Sequence, residues 1–278
     1  MQDKMFLIVA MISVFGLQAF GQEISYEVFA LKFGTTNGKV PISAIAVGAE
    51  SKDSVEICYM VWLLKGTNGK TVLVDAGFAD TAKLGLRKYI RPDRALQRLG
   101  IQAKDITDVI VTHPHTDHVN GIDLFPDAMV WMQKADFEYF VGEAWQNGGM
   151  TTGLKKADVH KLVQRNLDKK LTLVKGDGIE IMPGIKVFTG SKHTYESQFV
   201  QVVTKSDNVI IASDNSWFYY NLINELPIPL TFDQRGYRNN LIRMKTLVKE
   251  TDLIIPGHDP LVFSKFPKVA EDVVRIRN

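Results

Sequence analysis

The ten residues from His113 to Ile122 read HPHTDHVNGI, and they hold three histidines and one aspartate within six positions. The whole chain of 278 residues has only 6 histidines, so half of them lie in this one segment. The segment directly follows the apolar run DVIVT, which is typical of a buried β-strand. Because Pro114 cannot continue a helix, we expect a loop at the end of that strand rather than a pair of ligands on one helix.

Such a loop can point the side chains of the cluster in two directions. His113 and His115 can share one direction while Asp117 and His118 take another. The cluster therefore predicts ligands for two adjacent metal ions.

Three further potential ligands come just after apolar runs, as the first cluster does. His193 follows KVFTGS, Asp214 follows VIIAS, and His258 follows LIIPG. Strand ends commonly meet at one edge of a sheet, where binding sites are built. Imidazole and carboxylate ligands together suit zinc and similar divalent metals. The sixth histidine, His160, lies in a charged helical segment and is expected to be an ordinary helix residue.

Short strand-like runs outnumber helical segments in the rest of the chain and alternate with them. The strand-like runs are ISYEVFALKFG, PISAIAVGA, ITDVIVT, AMVWMQ, KLTLV, IEIMP, IKVFTG, FVQVVT, NVIIAS and DLIIPG, together with the predicted hairpin CYMVWLLKGTNGKTVLVDAGF. Helical spacing is present in residues 81–100, Lys134–Val141, Lys155–Leu167 and Asn239–Lys249. The alternation predicts sheets covered by helices in one α/β domain that spans residues 22–278.

The composition is that of a globular protein, with a hydrophobic fraction of 45% and a charged fraction of 23%. A net charge of +2 without an arginine-rich run argues against a nucleic-acid partner. The single cysteine, Cys58, lies in an apolar run, and we expect it to be a buried free thiol.

The N-terminal segment is typical of a secretory signal peptide. The apolar run Met5–Phe20 follows a lysine, and the small residues Ala19 and Gly21 end it. The run is short for a membrane span, which needs about 20 apolar residues, although an uncleaved anchor is the alternative. We therefore expect residues 1–21 to be removed, which would leave no stable membrane anchor and place the protein in the periplasm or outside the cell.

The ligand pattern resembles the metal signature of the metallo-β-lactamase superfamily. That resemblance implies a four-layer αββα sandwich with two divalent metal ions, most commonly zinc. One ion would be held by His113, His115 and His193, the other by Asp117, His118 and His258, with Asp214 bridging the two. The segment TVLVDAGF resembles an early strand and turn of the family, and it places Asp75 near the metals.

Within the superfamily, the chain is most similar to the N-acyl homoserine lactonases. The best-known zinc β-lactamases have a cysteine where this chain has Asp214. Glyoxalase II enzymes have a further helical domain after the last ligand, and only 20 residues follow His258 here. RNA-processing members carry a large insert that this sequence lacks. The segments GDGIEIMPGIKVFTGSKHTYESQFV, ASDNSWFYYN and IIPGHDPLVFSKFP resemble the lactonases.

Two positions depart from the lactonase pattern. Some lactonases have a tyrosine three residues after the bridging aspartate, placed to contact the substrate carbonyl, and this chain has Trp217 there. Trp217, Tyr219 and Tyr220 are accordingly the expected substrate contacts. The two alternatives are that either tyrosine is the substitute or that this contact is absent. Lys192 stands before His193, where the family often has glycine.

The resemblance implies an enzyme that opens the lactone ring of N-acyl homoserine lactones, and the predicted signal peptide implies that this enzyme is exported. A hydroxide shared by the two ions would attack the carbonyl, and Asp117 or Asp214 would assist proton transfer to the leaving oxygen. Two alternatives stay open: a related hydrolase of β-lactams, thioesters or phosphodiesters, and a metal-binding protein without turnover. The expected partner is a small ester or lactone, and a homodimer is also considered.

Overall fold

The structure, a computed structural model, describes residues 23–79 and 85–278. The predicted signal peptide, residues 1–21, lies outside the described residues. Within the described ranges, none of the helices combines the length and the apolar character that crossing a membrane requires.

Strands make up most of the regular structure. The strands are β1 Tyr26–Pro41, β2 Ser54–Gly66, β3 Thr71–Val74, β4 Leu86–Arg87, β5 Asp108–Ile110, β6 Met129–Gln133, β7 Leu171–Val174, β8 Ile179–Met182, β9 Ile185–Thr189, β10 Gln198–Val203, β11 Asn208–Ser213, β12 Ile254–Pro256, β13 Lys268–Ala270 and β14 Val273–Arg277. The helices are α1 Pro92–Leu96, α2 Thr116–Val119, α3 Lys134–Val141, α4 Lys156–Leu167, α5 Tyr219–Asn224, α6 Gln234–Thr246 and α7 Val262–Lys265.

The strands of the described residues form two sheets. The larger has nine strands, eight in the order β13-β14-β1-β2-β3-β5-β6-β7 and β4 paired with β1. Strands β3, β5, β6 and β7 are parallel, so the loops after β5 and β6 leave the sheet at the same edge. The smaller sheet has the order β12-β11-β10-β9-β8, and only its β11–β12 pair is parallel.

The two faces of the larger sheet pack against different partners. Along β2, Met60 and Trp62 belong to the core that reaches the smaller sheet, whereas Val61 and Leu63 belong to the core shared with α1, α3 and α4. This alternation follows from the two-residue period of a strand. On the other side, α6 covers the smaller sheet, with the Arg243 guanidinium above the ring of Phe188. The predicted α/β fold with four layers, helix, sheet, sheet, helix, is confirmed.

The structure corrects two predicted elements. The run PISAIAVGA is not a strand: β1 ends at Pro41, which has no N–H for the ladder, and a 3-10 turn follows over Ile42–Ala44. Residues 81–100 are not one helix: 80–84 lie outside the described residues, Leu86–Arg87 pairs with β1 as a strand, and a helix begins only at Pro92. Proline is favoured in the first turn of a helix and disfavoured in its interior, which explains the late start.

The histidine cluster is also only partly a loop. Pro114 does keep helix out of the first half, as predicted, but α2 begins at Thr116, two residues later. Asp117 and His118 therefore lie on one helical turn, while His113 and His115 lie on the loop before it.

Arg165 on α4 fixes the segment that follows α2. Its buried guanidinium donates hydrogen bonds to the carbonyl oxygens of Ile122, Phe125 and Pro126 at 2.7, 3.0 and 3.0 Å. Because Arg165→Ala would leave these carbonyls unsatisfied, we expect the free energy of unfolding to fall by about 2–4 kcal/mol in urea titration. Lys156→Ala, at an exposed position of the same helix, is the control and should change it by less than about 0.5 kcal/mol. Equal unfolding midpoints for the two variants would contradict this role.

Candidate metal centre

The seven expected ligands come from both sheets and meet where the two sheets face each other. His113 and His115 follow β5, and Asp117 and His118 lie on α2 directly after them. His193, Asp214 and His258 follow β9, β11 and β12 of the smaller sheet. Each ligand therefore sits just beyond a strand or in the helix that continues from one.

The structure brings these residues together in two groups. His113, His115, His193 and Asp214 form one group, and Asp117, His118 and His258 form the other, with the ligand atoms of each group within 4.8 Å of one another. The structure therefore brings all seven predicted residues together, and their division between two metal ions stays a prediction.

Asp214 lies between the two groups and directs one carboxylate oxygen to each. Its Oδ2 is 3.1 Å from Nε2 of His193 and 3.7 Å from Nε2 of His113. Its Oδ1 is 3.1 Å from Nε2 of His258 and 3.3 Å from Nε2 of His118. This is the arrangement that a bridging carboxylate needs.

Hydrogen bonds at Nδ1 set the orientation of four of the imidazoles. The partners are Thr112 Oγ1 for His113 at 3.0 Å, Asp75 Oδ2 for His118 at 2.8 Å, the Leu230 carbonyl for His193 at 2.7 Å and the Cys58 carbonyl for His258 at 3.0 Å. Holding Nδ1–H in this way leaves Nε2 with a lone pair, as a metal ligand requires.

The donor atoms that face the centre fit a bound cation. Nε2 of His113, His118 and His193 and Oδ1 of Asp214 are buried without a hydrogen-bond partner in the described structure. Burying polar atoms without partners is costly, and divalent metal ions bound by imidazole and carboxylate would satisfy all of them. These residues therefore suit a metal site.

Asp75 connects the two ligand groups of the centre through hydrogen bonds. It is fully buried and accepts hydrogen bonds from the Thr112 backbone N–H, the hydroxyls of Thr112 and Ser213, and His118. Thr112 precedes the first ligand, and Ser213 precedes Asp214. Asp75 therefore lies beside the candidate ligands.

Three residues of the centre have left-handed backbone, which is uncommon outside glycine. The φ angles are 59° at Asp75, 57° at Lys192 and 48° at Ser213. Each costs roughly 1–2 kcal/mol and persists where the surrounding structure over-determines it. Lys192 and Ser213 directly precede His193 and Asp214, so the strained positions aim two ligands.

Burial and charge act differently on the two groups of histidines. Burial lowers the pKa of His115 to about 3 and the pKa of His113 well below its usual value, so both imidazoles are neutral. Burial also disfavours charge on His118, but the neighbouring carboxylates, first Asp117 and then Asp214, raise its pKa well above the usual value. Positive charge is thus favoured at the second group, where a cation would replace the proton.

The family model of the metallo-beta-lactamase superfamily matches residues 58–258, which include all seven residues. The chain belongs to this superfamily. An N-acyl homoserine lactonase from Bacillus sp is 27% identical over 73% of this chain and 80% of its own length. The predicted superfamily and the resemblance to N-acyl homoserine lactonases are confirmed, and the chain is a hydrolase of the metal-dependent class.

Solved structures show the same fold. A quorum-quenching N-acyl homoserine lactone lactonase superposes with a TM-score of 0.69 at 21% identity, covering 88% of this chain and 97% of that one. AidC, a dizinc quorum-quenching lactonase, superposes with a TM-score of 0.66 at 14% identity, covering 93% and 99%. The shared fold therefore extends over nearly all of the described residues.

A cavity of about 180 Å³ opens onto the metal centre of this superfamily member. It is lined by Ile57, Tyr59, His115, Asp117, Gly153, Asp214, Trp217, Phe218, Leu230 and His258. Trp217 lies in this lining, as expected, and its Nε1–H donates to Asp214 Oδ2 at 2.6 Å. The lining thus combines carboxylates with apolar side chains.

The two tyrosines expected to contact substrate lie elsewhere, which corrects that expectation. Tyr219 is 2% exposed, and its hydroxyl donates to the Asp252 carbonyl at 3.4 Å. Tyr220 lines a neighbouring groove of about 470 Å³ that shares only Phe218 with the cavity. Helix α5 begins at Tyr219, and its turn carries both side chains away from the metals.

Sequence reasoning missed several residues of the lining, above all Tyr59. Tyr59 lies on β2, more than 50 positions before the histidine cluster, and no local motif connects it to the ligands. The alternation along β2 is the one signal that distinguishes it, since Cys58 faces the core and Tyr59 the opposite side. Cys58 itself is buried and free, as predicted.

Gly153 packs directly against His115, and this contact yields a testable prediction. A Cβ added at Gly153 would lie 2.7 Å from Cδ2 of His115, and the residue has φ of +79°. We expect Gly153→Ala to displace the imidazole and weaken metal affinity by about tenfold or more in a chelator competition assay. Gly148→Ala is the matched control, because Gly148 has φ of +87° and nothing within 4 Å of an added Cβ. The same affinity in both variants would refute this prediction.

Proposed function

We propose that this protein is a dinuclear zinc hydrolase that opens the lactone ring of N-acyl homoserine lactones. The observation that carries the proposal is Asp214, whose two oxygens face two separate ligand groups at the floor of an open cavity. Support for the substrate comes from relatives of that name in the superfamily. Support for zinc comes from the ligand types and from the dizinc lactonase of the same fold.

The residues of the chain divide the work of ester hydrolysis between them. Bound divalent ions supply Lewis acidity, which polarises a carbonyl and makes water a stronger nucleophile near neutral pH. His113, His115 and His193 would hold one ion and Asp117, His118 and His258 the other, with Asp214 shared. The fixed Nδ1 hydrogen bonds hold the imidazoles in place, which reduces the reorganisation needed during the reaction.

Proton transfer to the leaving oxygen is assigned to the carboxylate pair, Asp117 and Asp214. Both line the cavity, and they are its only acidic side chains among the described residues. The Asp117 side chain is 27% exposed and the Asp214 side chain 4%, so Asp117 is the more accessible to a substrate. The indole of Trp217 donates to Asp214 and keeps its carboxylate fixed.

The apolar part of the cavity suits the acyl portion of the substrate. Ile57, Phe218 and Leu230 line it together with the ring of Trp217. Burying the methylenes of an acyl chain here contributes about 0.8 kcal/mol each.

A side-by-side assay tests the proposed substrate. The purified chain, loaded with zinc, is offered a long-chain N-acyl homoserine lactone and a chromogenic β-lactam. We expect ring opening of the lactone only. Turnover of the β-lactam alone would assign the protein to the antibiotic-hydrolysing branch. Two bound metals with no turnover of either compound would show that the proposed substrate is wrong.

We also propose that the protein is exported and acts outside the cytoplasm. The support is the apolar run Met5–Phe20 with small residues at its end. Expression in a bacterial host, fractionation and N-terminal sequencing check this, with an exported chain starting near Gln22 as the expected result. A homodimer stays a prediction, which light scattering of the same material tests.

A further inference from the structure

The cavity above the metal centre offers few side chains that can donate a hydrogen bond to a substrate. Apart from the seven expected ligands, Tyr59 and Trp217 are its only described lining residues with a side-chain N–H or O–H. The Trp217 donor is already used, because it bonds Asp214 Oδ2 at 2.6 Å. Within residues 23–79 and 85–278, the Tyr59 hydroxyl makes no hydrogen bond.

The ring of Tyr59 is held in place by its neighbours. It packs edge-on against His258 with ring centres 5.5 Å apart, and against Phe78 at 5.3 Å. Phe33 lies behind it at 6.1 Å. The preceding residue, Cys58, makes two hydrogen bonds with His258. The Cys58 backbone N–H donates to the His258 carbonyl at 3.0 Å, and the Cys58 carbonyl accepts from His258 Nδ1 at 3.0 Å. The position of the tyrosine is therefore fixed relative to the metal centre.

Tyr59 approaches the centre from a different side than Trp217. It also lines an adjoining cavity of about 290 Å³ together with Asp117, Thr116 and Gly153, on the side of the second ligand group. Trp217 instead packs against His193 and His258, each with ring centres 6.0 Å apart. A substrate bound between these two rings would have the Tyr59 phenol on one side and the Trp217 indole on the other. The indole N–H is already bonded to Asp214.

We propose that the Tyr59 hydroxyl donates a hydrogen bond to the carbonyl oxygen of the bound substrate and is a catalytic residue of this enzyme. The inference rests on the proposed ester or lactone hydrolysis. Negative charge accumulates on that oxygen as the tetrahedral intermediate forms, so a fixed neutral donor stabilises the transition state more than the ground state. The tyrosine from β2 then supplies a donor that Trp217 does not, because the indole N–H of Trp217 is bonded to Asp214.

Removal of the hydroxyl alone tests the assignment. Tyr59→Phe keeps the ring and its packing, and loss of one such donor lowers kcat by about 10²-fold, with a smaller change in KM. The bound metal content, measured by elemental analysis, should stay that of the unmodified protein. Tyr195→Phe is the control, since Tyr195 is 40% exposed and lines a different cavity. It should leave kcat unchanged.

A substrate with sulfur in place of the carbonyl oxygen separates a direct contact from a structural role. Sulfur accepts hydrogen bonds weakly, so the ratio of kcat between the unmodified protein and Tyr59→Phe should shrink from about 10² towards 1 with the thiono compound. An unchanged kcat in Tyr59→Phe, an equal loss with both substrates, or a loss of metal would each overturn the inference. If the unmodified protein opens no lactone, the proposed function fails first, which is a distinguishable result.

Discussion

Replacing Asp214 with alanine is expected to abolish hydrolysis and to reduce the metal content from two ions per chain to one or none. The expectation follows from its position, since Oδ2 and Oδ1 lie 3.1 Å from histidine nitrogens of the first and second groups, respectively. Without the carboxylate, both ions lose a ligand and the two cationic sites lose the negative charge between them. We expect turnover to fall by at least about 10³-fold.

Asp252→Ala is the matched control for this experiment. Asp252 is an exposed carboxylate that pairs with Lys265 at 2.9 Å. It has the same side chain as Asp214 but is not one of the seven candidate ligands. Its removal should leave metal content and turnover unchanged. An Asp214→Ala protein that retained two metals and full turnover would exclude a bridging role and with it the dinuclear proposal.

Replacing Asp75 with alanine is expected to produce the second largest effect, on stability and on metal affinity together. Asp75 accepts four hydrogen bonds at 2.8–2.9 Å and is fully buried. Its loss leaves donors of Thr112 and Ser213 without partners, so the free energy of unfolding should fall by about 3 kcal/mol. Release of Nδ1 of His118 should weaken metal binding by about 10–100-fold.

Asp108→Ala separates the two effects of the Asp75 substitution. Asp108 is also buried in the larger sheet, where its carboxylate accepts from Lys70, Thr107 and Trp131. It lies at the start of β5, whereas the ligands follow the end of that strand. We expect Asp108→Ala to lower stability with little change in the metal affinity of the folded protein. If both variants lowered affinity equally, Asp75 would act through stability alone.

The ligands were predictable because their positions follow from strand ends. His193, Asp214 and His258 each come after an apolar run, and the structure gathers them with the cluster as expected. The hairpin of β2 and β3 was likewise predictable, since Asn68-Gly69 favours a tight turn between two apolar runs. These features depend on local sequence, which a single chain displays directly.

The substrate side of the cavity was less predictable because it depends on tertiary direction. Tyr219 and Tyr220 follow Asp214 closely in sequence, yet the start of α5 turns them away from the cavity. Tyr59 is distant in sequence, yet β2 brings it against His258. Closeness in sequence therefore did not predict which tyrosine lines the cavity, because its position depends on how the two sheets pack.

The pairing of Cys58 with His258 also constrains the order in which the protein can mature. The two residues are separated by 200 positions, so the second ligand group stays incomplete until residue 258 has been synthesised. Contacts between such distant segments form late in folding, because closing a long loop costs entropy before any contact compensates it. Nascent chains that end before residue 258 consequently lack one histidine of the candidate metal centre. We therefore expect the complete centre to form only after the segment around residue 258 has joined the fold.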